Sequence, residues 1–365
     1  MIEVDAPPAP FAPALAKARD NAWIAGWWLA GRGLVLAAAL AARGSIRILA
    51  SWDGRWYRAV AAHGYLLVPG HQSDPAFFPL FPALLRVGHH LGFGYSTAGI
   101  ALAHSAFLAT LAAFHVLTRD LFDPAFARRA TVYLAIFPFG YVFSMAYPES
   151  IVLAATTLAV VAAARGRWGI AAACAAAGAL GRPEGLFVAA PLLVIAWRSR
   201  HTLGPVRRGV AFGASLASLG ALGAYPLYLD RVLHDPNAWS RAELAWGRRF
   251  TPLGALHAVV HLPHAFAGNA WVVRDVAATV LYLALLAAAA RAGTPRVWLL
   301  VGSAIVVLPV FSGSFSSIGR FGLLAPPVFW GLAWLGRRPR VDVWIRVASL
   351  ALLVAATVTI PLVFP

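Results

Sequence analysis

The 365 residues are 60% hydrophobic and only 12% charged, with a mean hydropathy of +0.72, against about 25% charged residues in soluble domains. That balance excludes a soluble globular enzyme and makes the chain an integral membrane protein. The net charge of +16 punctuates the ends of apolar runs instead of covering one soluble face, so topology accounts for it and no nucleic-acid partner is expected.

The chain opens with a Pro/Ala-rich segment holding Asp5, Lys17, Arg19 and Asp20. No small-residue cleavage site stands out behind it, so residues 1–22 are expected to be a retained cytoplasmic leader. Apolar runs follow at about 23–43, 97–118, 130–146, 149–164, 168–181, 185–197, 209–229, 271–290, 297–311, 319–336 and 344–363. Read as helices, they predict an all-α polytopic membrane protein with about 11 transmembrane helices, in a range of 9 to 13. The single cysteine, Cys174, lies in one of these runs, which leaves no disulfide framework and no cysteine metal site.

With the amino terminus inside, the short inner connections carry most of the arginines, among them Arg119, Arg128, Arg129, Arg165, Arg167, Arg198 and Arg200, as the positive-inside rule asks. The other side receives two long connections, 44–96 and 230–270, and short turns around Tyr147, Arg182 and Ser316. Both long connections space aromatics and leucines as amphipathic helices do, so helices along the outer membrane face are expected. No internal repeat and no inverted pair of interrupted helices is visible, which argues against a secondary transporter.

The outer segments hold nearly all the chemistry. Asp53, in "ILASWDGRWYRAVAAHGY", can cap the next helix by accepting backbone N–H bonds. It can also take a proton from an attacking hydroxyl, because Arg55, Arg58 and His63 bring cationic or titratable groups within a few turns. Tyr147, Pro148 and Glu149 read as a helix stop followed by a favourable acid at the next helix start, or as polar contacts for a ligand. Arg182 and Glu184 in "GALGRPEGLF" read as a pair closing a tight turn or as a phosphate or sugar contact. Arg320, in "FSSIGRFGLL", runs against the positive-inside trend. A snorkelling side chain would explain it, but its planar fork suits an anionic lipid phosphate better.

His257, His261 and His264 share helical spacing that could serve a metal, yet no acid or cysteine stands near them in sequence. They read as interfacial polar surface, and no metal is expected. There is no Gly-rich phosphate loop and no Asp-x-Asp pair, which argues against a soluble nucleotide or nucleotide-sugar substrate.

Taken in order, "WDGRWYRAVAAHGY", "AFFPLFPAL", "AIFPFGYVFSMAYPESIVL", "GALGRPEGL" and "SSIGRFGLLAPPVFWGLA" resemble the PIG-V family of GPI mannosyltransferase II and its bacterial relatives. The similarity runs from about residue 45 to 335, with about 230 to 275 unmatched. The resemblance implies a single GT-C glycosyltransferase domain over residues 1–365, embedded in the cell membrane with its active site on the extracytoplasmic side. It further implies mannose transfer, with inversion and without a cofactor, from polyprenyl-phosphate-mannose to a glycolipid or glycan acceptor. Asp53 matches the family's expected base. Arg320, Arg182 and Arg58 are then expected near the donor phosphate, and Trp52, His63, Tyr147, Glu149 and Glu184 around the sugar or acceptor. A polyprenyl-linked glycan carrier without catalysis, or the same fold with another lipid-phosphate sugar, are the alternatives.

Overall fold

In a computed structural model the described residues are 14–263, 266, 270–360 and 362, with the side chains of 14–21 excepted. Residues 1–13 of the expected leader and His264 fall outside them. Every regular element among the described residues is helical. The first helix runs Ala14–Arg43, so helix already occupies the last part of the segment expected to be a leader.

Four helices are long and apolar enough to cross a membrane: Ala22–Arg43 within the first helix, Tyr95–Leu121, Ala270–Arg291 and Pro339–Thr359. Three further candidates are bent pairs: Pro138–Ser144 with Glu149–Ala164 at 95°, Pro205–Ser215 with Ala217–Leu233 at 50°, and Ile318–Leu324 with Pro326–Leu335 at 86°. Trp168–Gly181 and Arg296–Ser312 are shorter apolar helices. The chain is a multi-pass membrane protein, and several expected straight spans are broken ones. Proline explains the first and last of these breaks, since it lacks the N–H that continues a helix and restrains the residue before it. Pro148 precedes Glu149–Ala164 at the first corner, and Pro326 starts the helix after the last.

Local signals set other boundaries. Pro124 occupies the first turn of Pro124–Ile136, and Asp123 caps it by accepting the Phe126 N–H at 2.8 Å. Arg32, fully buried in the first helix, donates to Gly140 O at 2.6 Å, Ser144 Oγ at 2.8 Å and Ala135 O at 3.1 Å. It satisfies carbonyls that the break at Pro138 leaves without helical partners.

The two long connections form the short helices that their pattern predicts: Asp53–His63 and Leu80–His90 in the first, Ala238–Ala245 and Gly254–Val260 in the second. The second connection packs on the first. Trp246 meets Trp56 and Phe77 edge-on, with ring centres 5.4 and 5.6 Å apart, and donates its indole N–H to Ser73 O at 3.1 Å. The Arg249 and Thr251 N–H groups donate to Ser312 O and Phe311 O, both at 3.1 Å. The segment that matched no family motif therefore ties the first connection to the turn that precedes Arg320.

Candidate active site

Asp53 begins the helix Asp53–His63, whose buried face is Asp53, Tyr57, Val60 and Ala61. The residue before it, Trp52, adopts φ +53°, outside the usual range for a side-chain-bearing residue, a conformation costing about 1–3 kcal/mol that surrounding contacts must hold. One such contact is the Trp52 indole N–H to Ile360 O at 2.8 Å. Against this turn lies the corner at Pro148: the Ala146 N–H donates to Leu49 O at 2.7 Å, and the Asp53 N–H donates to the Tyr147 hydroxyl oxygen at 3.1 Å.

Arg320 arrives from the last corner. Its Nη1 donates to Asp53 Oδ2 at 2.5 Å, its Nε lies 3.3 Å from Glu149 Oε1, and its guanidinium sits 5.3 Å from the centre of the Tyr147 ring. Glu149 Oε1 also accepts from Arg182 Nη1 at 2.8 Å. Arg182 in turn grips Glu184 with two bonds, Nε to Oε2 at 3.0 Å and Nη2 to Oε1 at 3.2 Å, the bidentate geometry that suits a guanidinium. The result is an alternating line, Asp53–Arg320–Glu149–Arg182–Glu184, every side chain of which is at most 10% exposed.

Two guanidiniums and three carboxylates leave one negative charge in excess when all are ionised. Such a line is poor evidence for stability, because desolvating each ion costs several kcal/mol that the pairing only partly returns. Ionisable groups gathered this way inside a membrane protein make the line a candidate working site. Within the line, Asp53 Oδ2 is engaged by Arg320 while Oδ1 has no hydrogen-bond partner among the described residues. A hydroxyl at Oδ1 would meet a carboxylate with an open acceptor position.

Arg320 is placed by residues that the sequence reading passed over. Ser317 holds φ +68°, and the carboxylate of fully buried Asp275 accepts the Ser317 N–H at 2.8 Å and the Gly319 N–H at 3.2 Å. Tyr282 donates its hydroxyl to Gly319 O at 2.5 Å from the same helix. Glycine is required at 319, since a Cβ there would stand 2.7 Å from the Phe139 ring and 3.0 Å from Asp275 Oδ1. Asp275 had a visible signal, an acid inside an apolar run. Arg248 is a second omission: it and Arg182 lie over the Phe321 ring, 5.5 and 4.7 Å from its centre.

Tyr147, Glu149, Arg182, Glu184 and Arg320 thus converge on Asp53, while Arg58 and His63 do not. Both are exposed, Arg58 on the far side of their helix and His63 on its flank. At about 100° per residue, Arg58 points about 140° and His63 about 80° away from Asp53. Arg58 instead lines a separate cavity of about 850 Å³ with Arg47, Arg55 and Trp52, so Trp52 is the link between cavity and buried line. His257 and His261 lie with ring centres 4.1 Å apart, and among the described residues no three potential ligands are grouped to hold a metal ion.

ArnT from Cupriavidus metallidurans, in its crystal structure bound to undecaprenyl phosphate, is similar to this chain with a TM-score of 0.51 and 16% identity, over 93% of this chain and 76% of that one. The Archaeoglobus fulgidus oligosaccharyltransferase, as a complex with Zn and sulfate and in the apo form, gives TM-scores of 0.43 and 0.45 at 12% identity. It is covered to 53% and 56% of its length, so this chain spans about half of it. The fold is that of the GT-C glycosyltransferases. No protein-family model and no curated protein matches the sequence, so the PIG-V resemblance rests on the motifs themselves.

Proposed function

We propose that the chain is an inverting glycosyltransferase that moves a sugar from a polyprenyl-phosphate donor to a hydroxyl of a glycolipid or glycan acceptor on the extracytoplasmic side. Mannose is the sugar to which the PIG-V resemblance points. The observation that carries the reading is the buried charge line that ends in Asp53, with one carboxylate oxygen held by Arg320 and the other open. The GT-C fold and the likeness to a protein crystallised with undecaprenyl phosphate support a lipid-phosphate donor.

In the proposed reaction the acceptor hydroxyl hydrogen-bonds Asp53 Oδ1 and its oxygen attacks the anomeric carbon. A new C–O bond forms on one face of the sugar as the bond to the phosphate oxygen breaks on the other. The lipid phosphate leaves with the bonding electrons, and the hydroxyl proton passes to Asp53. Arg320 holds the carboxylate aimed before transfer through its bond to Oδ2. Arg182 and Glu184 hold Glu149, and through it Arg320, in place. Two of the three arginines expected at the donor phosphate, Arg320 and Arg182, are thereby engaged by acids, which leaves Arg58 as the member of that group directed to open space.

The test is transfer of radiolabelled mannose from synthetic polyprenyl-phosphate-mannose by the purified protein in lipid. Formation of a mannosylated lipid by wild type and its loss in Asp53→Asn supports the reading. An Asp53→Asn variant as active as wild type removes Asp53 from the chemistry, and translocation of the lipid-linked sugar without a new glycosidic bond favours a carrier.

A further inference from the structure

Tyr57 follows Asp53 by four residues on the helix Asp53–His63, so both side chains leave the same face, one turn apart. The residue is 3% exposed. Phe77 and Phe81 meet its ring edge-on, each with centres 5.1 Å away, and the Tyr147 ring lies tilted at 6.5 Å. Three aromatic neighbours thus fix the ring and offer its hydroxyl nothing. Among the described residues no group donates to that hydroxyl or accepts from it.

A buried Tyr O–H ordinarily finds an acceptor. Elsewhere in the chain Tyr65 donates to Phe77 O at 2.7 Å, Tyr225 to Pro75 O at 2.8 Å, and Tyr282 to Gly319 O at 2.5 Å. The Tyr57 oxygen is also not sealed off, unlike Glu149 Oε2 and Ser317 Oγ, which are enclosed without a partner. A rigidly held, open hydroxyl one turn from the open oxygen of Asp53 is placed to meet a ligand.

Charge decides what kind of ligand group it meets. Burial pushes the phenol above its ordinary 10, with Arg182 opposing the rise, Glu149 and Asp53 adding to it and Arg320 opposing it. The hydroxyl is therefore neutral at physiological pH and stands within electrostatic reach of four members of the buried line. With every member ionised that line carries one excess negative charge, which repels an anion placed beside it. A neutral hydroxyl meets no such penalty, and a phenol can both donate to it and accept from it. The phenol feels Arg182 and Glu149 more strongly than Asp53, so it stands over the middle of the line, inward of an acceptor hydroxyl at Oδ1.

We propose that Tyr57 is a specificity-determining residue whose hydroxyl hydrogen-bonds a hydroxyl of the transferred sugar, while Asp53 Oδ1 takes the attacking hydroxyl of the acceptor. The inference rests on the glycosyltransferase reading, which supplies the sugar, and its test is arranged so that the two fail separately.

Binding is measured without acceptor, so that no transfer takes place, for wild type, Tyr57→Phe and the control Tyr228→Phe, whose residue is exposed on Ala217–Leu233. Thermal unfolding checks that each variant is folded. The probes are polyprenyl-phosphate-mannose, its monodeoxy forms and polyprenyl phosphate. In wild type and the control, at least one monodeoxy donor is expected to bind about three- to tenfold more weakly than the parent, the effect of one neutral hydrogen bond. Tyr57→Phe should bind the parent as weakly as that donor, show no further loss on the donor itself, and bind polyprenyl phosphate as wild type does. Three results overturn the proposal: wild-type affinity for the parent in Tyr57→Phe, an equal loss on polyprenyl phosphate, or every deoxy penalty persisting in the variant. Unchanged donor binding with slower transfer once acceptor is added moves the contact to the acceptor. Sugar binding that depends on Tyr57 with no glycosidic bond formed keeps this inference and removes the glycosyltransferase reading. Transfer by wild type with donor binding indifferent to Tyr57 does the reverse.

Discussion

Arg320 Nη1 and Asp53 Oδ2 meet at 2.5 Å although 267 residues separate them in the chain, and both side chains are buried. Each depends on the other for its charge to be tolerable at that depth, but the two play different parts in the proposed reaction. Asp53→Asn keeps the size and one acceptor oxygen while removing the proton acceptor. Transfer should fall by about 10²–10⁴-fold with a smaller loss of thermal stability. Arg320→Ala leaves Asp53 and Glu149 facing each other without their shared cation, and should destabilise the protein by about 3–5 kcal/mol. Thermal unfolding and transfer assays on the two variants separate these effects; equal destabilisation would make Asp53 a structural acid.

Asp275 governs where Arg320 sits without touching Asp53. Its carboxylate takes the N–H groups of Ser317 and Gly319, while Ser317 is in the left-handed region. Asp275→Ala leaves two buried N–H groups unsatisfied, at about 1–3 kcal/mol each. It should lower the transfer rate more than it raises the substrate KM. Asp275→Asn retains one acceptor oxygen and is expected to recover part of the rate, which a merely space-filling role for Asp275 would not predict. Transfer kinetics on both variants provide the check.

How much of this site could be read in advance depends on the type of signal. Arg182, Glu184 and Glu149 stood out because charges between apolar runs demand a partner, and the structure supplies it as one continuous line. Which partner each takes was not visible, since no local pattern couples residue 53 to residue 320. Arg58 and His63 were grouped with Asp53 by closeness in sequence, and helical phase separates them. The apolar runs located the helices but not their corners, because hydropathy is blind to whether a run is straight. The 95° and 86° bends that deliver Glu149 and Arg320 are set by proline placement together with packing against distant segments. Asp275 was the missed opportunity: its place in "WVVRDVAATVL" already violated the apolar pattern.

Trp246 joins the two long connections by meeting Trp56 and Phe77 edge-on and by its bond to Ser73 O. Truncation to alanine removes an aromatic cluster and one hydrogen bond, worth about 3–5 kcal/mol where the site cannot collapse. The second connection should then become more open to protease and to hydrogen exchange across residues 238–260, while the long helices retain their protection. Limited proteolysis with mass spectrometry reads both regions, and unchanged cleavage in Trp246→Ala would sever the link between them.

The first connection carries a pH response of its own. Burial pushes the Asp74 carboxyl up to about 6 from its ordinary 3.8, partly opposed by the Leu66 N–H it accepts at 2.7 Å. In the folded chain Asp74 therefore holds its proton up to about pH 6, whereas the unfolded chain releases it near 3.8. Between those values the folded state binds more protons, so this group's contribution favours folding at the acidic end and fades as pH rises. The segment from Leu66 to Phe77 should accordingly exchange its amide hydrogens more readily at pH 7 than at pH 4.5, after correction for the intrinsic rate. Asp74→Asn stays neutral at both pH values and can still accept the Leu66 N–H, so the difference should vanish in that variant. The same pH difference persisting in Asp74→Asn would move its origin to another group.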